Sequence, residues 1–140
     1  MATAKTTATS ADVDATLAAR ASSPAQLADA QALVAMLARV SGEPPRMWGP
    51  SIVGFGRYRY PLAGGKTGES CAAGFALRGR EIVLYLLADT DEQAALLARL
   101  GPHRMGKACL YLKRLADVDA SVLEQLAAGS LAELRRRHPD

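Results

Sequence analysis

Histidine and cysteine are scarce in this chain, with two of each in 140 residues. His103 and His138 lack the spacing of zinc ligands and no Cys-x-x-Cys pair occurs, so no metal site and no cofactor are assigned. Long apolar runs are also missing, and nothing approaches the ~20 residues that a membrane-spanning helix needs. The opening stretch MATAKTTATSADVD has a single Lys5 and no apolar segment, so it does not read as a secretory signal. Its lack of arginine before Arg20 argues against a transit peptide. A cytoplasmic protein without a membrane partner is expected. No serine sits in a G-x-S-x-G elbow. His103, in a loop beside Arg104, is the only candidate base. Cys71 and Cys109 lie in apolar, strand-like surroundings with no obvious cation to activate them. No catalytic residue is assigned, and a non-enzymatic domain is expected, with a small enzyme of unknown reaction as an alternative. The two cysteines read as buried thiols of a reducing compartment, and whether they are close in space is left open.

What the chain does contain is an uneven charge pattern. The net charge is only +3. Residues 1–45 hold three basic and four acidic groups, residues 46–115 hold eleven and five, and residues 116–140 hold three and five. The middle is therefore the positive part, and it suits an anionic partner if its cations share a face.

The length fits one domain, read as a loose tail over residues 1–10 and a single domain over 11–140. Ser10 is expected to cap a short helix through Arg20, with Asp12 in its first turn. Ser23-Pro24-Ala25-Gln26 predicts a second helix with a capping box and proline at its first position. Its apolar stripe is Leu27, Ala30, Leu33, Val34, Leu37 and Val40, and Gly42 followed by Pro44-Pro45 ends it. Ile52–Phe55 and the alternation of Arg57, Tyr58, Arg59 and Tyr60 predict strands, with Gly54 and Gly56 allowing close backbone approach. Pro61–Gly68 reads as a loop, Cys71–Leu77 as a strand, Arg78-Gly79-Arg80 as a tight hairpin and Glu81–Ala88 as the most apolar strand. Thr90–Gln93 is a second capping box, opening a helix that stops at Gly101-Pro102. Ala108–Lys113 is a strand with Leu110 and Leu112 on one side. Asp117 or Asp119 caps a last helix, with a break at Gly129 and a restart at Ser130. The order α-α-β-β-β-β-α-β-α gives an α+β fold, a mainly antiparallel sheet of about five strands with helices on one face.

Gly65-Lys66-Thr67 resembles the end of a phosphate-binding loop, but Tyr60 occupies the place of the first glycine and a strand follows instead of a helix. A surface is the better candidate. Trp48, Arg57, Tyr58, Tyr60, His103, Lys107, Tyr111 and Lys113 are the expected ligand-binding residues, with Arg59 beside them. Tyrosine offers stacking area with a polar tip, and Lys and Arg offer charge for a small anionic ligand or a protein partner. The glycine and phenylalanine consensus of an RNA-binding sheet is missing, so nucleic acid is not the expected partner.

Two runs carry a family resemblance. Met47–Tyr60, MWGPSIVGFGRYRY, and Leu96–Leu126, LLARLGPHRMGKACLYLKRLADVDASVLEQL, together resemble the YdhG-like domain of unknown function, a family of small bacterial proteins. The resemblance implies an α+β fold of the frataxin-like group and an intracellular protein. Some relatives are described as iron chaperones, so it also implies iron delivery as an alternative role. Gly74-Phe75-Ala76-Leu77-Arg78-Gly79 stands where the family has G-F-S-P-R-K. The first 45 residues hold Asp12, Asp14, Asp29 and Glu43 without a cluster of the kind a hard cation needs.

Overall fold

A computed structural model describes residues 8–9 and 12–139. Four helices pack on an antiparallel sheet: α1 (Val13–Arg20), α2 (Pro24–Ser41), α3 (Asp91–Leu100) and α4 (Ala120–Arg137). The strands are β1 (Ala8–Thr9), β2 (Pro45–Trp48), β3 (Ile52–Phe55), β4 (Tyr58–Pro61), β5 (Thr67–Ser70), β6 (Ala73–Arg78), β7 (Glu81–Tyr85), β8 (Arg104–Met105) and β9 (Cys109–Leu112). The main sheet runs β1-β2-β3-β6-β7-β9-β8, and β4-β5 form a separate ribbon. Five strands of the main sheet have four residues or more, which agrees with the expected number. Ala8–Thr9, within the expected tail, pairs with β2.

The period of two sorts the strands into two faces. Val53, Phe75, Leu84 and Leu110 lie in register across β3, β6, β7 and β9. They join Leu17, Leu33, Leu37, Leu100, Leu123 and Leu126 from the helices in one core. The other face carries Trp48, Ile52, Gly54, Gly74, Ala76, Val83, Tyr85, Cys109 and Tyr111. Gly54 and Gly74 are paired across β3 and β6 and leave a bare patch of backbone. Trp48, 2% exposed, folds back over it. A Cβ at Gly54 would overlap the indole and lie 2.6 Å from the Cβ of Cys71.

Side chains hold the helix ends as their chemistry dictates. Ser23 Oγ accepts from Gln26 N at 3.0 Å, and Gln26 Oε1 accepts from Ser22 N at 2.7 Å, one residue further back than a capping box requires. Gly42, at φ 72°, ends α2. Asp119 accepts from Ser121 N and Val122 N and caps α4. Asp12 is itself the cap of α1, accepting from Ala15 N, and does not sit in the first turn. Ser10, the expected cap, lies outside the described residues.

Four further expectations change. The Pro61–Gly68 loop shrinks to residues 62–66, because Thr67–Ser70 pairs with Tyr58–Pro61. Cys71 is not in a strand. It lies in the link that returns the chain to the main sheet, where Ala72 N donates to Phe55 O at 3.1 Å. The β7 strand stops at Tyr85, since Leu87 N turns away to Ser130 Oγ at 2.8 Å. Finally, α4 passes through Gly129 without a break. Gly129 is there because Gln93 packs against it. Gln93, capping-box residue by sequence, is 2% exposed and donates instead to Leu87 O at 2.7 Å and Leu126 O at 2.9 Å.

Candidate ligand-binding cleft

The ribbon, the Cys71–Ala72 link, the end of β7 and the last turns of α4 enclose a cleft of about 250 Å³. Its walls are mainly apolar: Ile52, Tyr58, Cys71, Tyr85, Leu86 and Leu134. The ribbon supplies Tyr58, whose ring is 5.8 Å from that of Tyr60 and 5.0 Å from that of His138. Tyr60 leans over Gly68, its direct partner across the ribbon, where a Cβ would lie 2.5 Å from the ring. Tyr85 comes from β7, and its hydroxyl accepts from Arg78 Nη2 at 2.9 Å.

Burial keeps the polar groups of this cleft neutral. It pushes the Cys71 thiol up to about 11, against a lesser opposing pull from Ser70. It also raises the phenols of Tyr58 and Tyr85, the latter partly offset by Arg78. A thiol held that high is not a nucleophile near neutral pH. Cys71 and Cys109 are both free. The Cys71 sulfur rests above Gly74, and Cys109 lies two strands away beyond Tyr85. That is about 10 Å at ordinary strand spacing, too far for a disulfide.

A second, polar hollow of about 370 Å³ adjoins the cleft and shares Tyr58, Ala72 and Leu134 with it. Arg57, Arg135, His138 and Glu43 line it. Arg57 Nη1 is 3.6 Å from Glu69 Oε2 across the ribbon.

No family model, curated protein or solved structure matches this chain.

The eight expected residues fall into three groups. Arg57 and Tyr58 line the cleft or its polar neighbour, and the Tyr60 ring is tilted against that of Tyr58. Trp48 is buried over Gly54 and lines a small hollow by Arg57. His103, Lys107, Tyr111 and Lys113 lie on or near the β8–β9 hairpin. There Arg104 covers the Tyr111 ring at 3.9 Å from its centroid and bonds Glu81 at 3.0 Å, so that ring face is occupied. His103 Nδ1 is 2.7 Å from Gly101 O. Lys107 and Lys113 are exposed. Gly65-Lys66-Thr67 is the ribbon's turn, with Gly64 and Gly65 at positive φ and Thr67 opening β5.

Sequence reasoning did not place Tyr85, Arg135 or His138 at a site. Tyr85 interrupts an otherwise aliphatic run, Ile82 to Leu87, which is the one available signal. Among the described residues no three His, Cys, Asp or Glu side chains gather to hold a metal ion. Asp29, one of the acidic residues of the first 45, instead accepts from Arg114 Nε at 2.7 Å and Leu115 N at 3.1 Å.

Proposed function

We propose that this chain is a non-enzymatic, cytoplasmic binding domain that takes a small anionic ligand at the cleft beside Tyr58. The observation that carries this reading is the contiguity of an apolar cleft with a hollow lined by two arginines and a histidine. Pockets that are mainly apolar with a few convergent polar groups are the usual form of small-molecule sites. The neutral thiol and phenols inside the cleft offer no charged acid or base, which favours binding over turnover. The likeness of Met47–Tyr60 and Leu96–Leu126 to the YdhG-like family supports a small intracellular domain of this kind and rests on those runs alone.

A melting screen with acidic metabolites tests the reading. A ligand at a hundred times its Kd stabilises by about 2.7 kcal/mol, a readily measured rise. Ala108 is exposed at the cleft lip, and Ala108→Trp should abolish the rise. A rise that survives Ala108→Trp but is lost in Lys107→Ala or Tyr111→Ala would move the site to the β8–β9 hairpin.

A further inference from the structure

The end of α4 carries three consecutive arginines that differ in commitment. Arg137 is held by Asp89 at 2.7 Å and by Glu133 at 2.6 Å. Arg136 is held by Glu133. Arg135 makes no hydrogen bond or ion pair among the described residues, and it is the one of the three that lines the polar hollow, next to His138. The formal charges lining that hollow are Arg57 and Arg135 against Glu43. Glu69 lies 3.6 Å from Arg57 and engages it, which leaves Arg135 as the hollow's cation without a partner among the described residues. A single negative charge is matched there. A second would lie near Glu43 and Glu69, and no charged side chain lines the adjoining cleft among the described residues. The cleft's volume is about 250 Å³, against about 150 Å³ for a cavity that holds benzene. That is room for one ring with a short chain.

Building on the cleft as the binding site, we propose that its ligand is a monocarboxylate with a compact apolar body, the body seated between Tyr58, Cys71 and Tyr85 and the carboxylate received by Arg135. A planar guanidinium with no competing partner among the described residues is suited to donating two parallel hydrogen bonds to a carboxylate.

Titration calorimetry on the full chain with 3-phenylpropanoate, 3-phenylpropanamide and 2-phenylethyl phosphate tests this. The acid is expected to bind tightest, with the amide and the phosphate weaker by about tenfold or more. Arg135→Gln should bring the acid to the level of the amide and leave the amide unchanged. Arg136→Gln should leave the acid at wild-type affinity. An amide or phosphate as tight as the acid overturns the monocarboxylate assignment while leaving the cleft as a binding site. Equal loss in Arg136→Gln and Arg135→Gln overturns the role of Arg135. No heat from any of the three ligands overturns this inference and the binding reading together. If Arg135→Gln does not fold, the wild-type order of the three ligands decides.

Discussion

Gly129→Ala sets helix propensity against packing. In an unobstructed helix, replacing glycine by alanine gains about 1 kcal/mol. In α4 the added Cβ would overlap Gln93 Oε1 and lie 3.0 Å from its Cδ. A flexible side chain could swing away, but this one is buried and its amide is held by Leu87 O and Leu126 O. Displacing it costs two hydrogen bonds of about 1 kcal/mol each and leaves a buried amide short of partners, for about 3 kcal/mol in total. The net is a loss of about 2 kcal/mol, which lowers the melting temperature by about 6 °C for a domain of this size. Calorimetry on both variants and their combination provides the control. In a Gln93→Ala background the same change should stabilise by about 1 kcal/mol, since nothing then opposes the propensity gain. A Gly129→Ala protein that melts at or above the wild-type temperature would refute the reasoning, as would an unchanged penalty without Gln93.

Two further perturbations test the second face of the sheet. Gly54→Ala drives a methyl into Trp48 and Cys71, both fixed by packing, so a loss of about 3 kcal/mol is expected in urea melts, with red-shifted tryptophan emission. A wild-type midpoint would show that the indole does not rest there. Cys71 gives a pH signature. Its thiol is lifted from the ordinary 9.0 to about 11, so between those values the unfolded chain gives up the proton first, and stability falls as pH rises. The limb amounts to about 2–3 kcal/mol. Cys71→Ala should flatten it in denaturant melts at pH 8 and 10.5, and equal slopes in the two proteins would sink the claim.

What could be read from the chain was the local chemistry. Ser23, Thr90 and Gly42 mark helix ends because a cap is decided by neighbours in sequence. Alternation in Cys109–Leu112 shows which side is buried for the same reason. The ribbon was not legible, because Tyr58–Pro61 reads as a strand whether it continues the main sheet or pairs with Thr67–Ser70. The end of β7 was missed since it depends on Ser130, 43 positions along the chain. The same holds for the cleft. Arg57 and Tyr58 stood out by sharing one short run. Cys71 and Tyr85 reach it, and Arg135 the adjoining hollow, from separate elements, and the Arg135–Arg137 run hides which of its members lacks a partner among the described residues.

The chain leaves the main sheet after Phe55 and rejoins it opposite the same residue at Ala73, with Ala72 N bonded to Phe55 O across the neck. Everything between is an appendix tied off at its base. Its length and tip are therefore free to vary without shifting the ladder beneath, while Tyr58 at its root still faces the hollow. On the binding role proposed above, shortening, lengthening or exchanging that appendix would retune what the domain recognises and leave its folding intact.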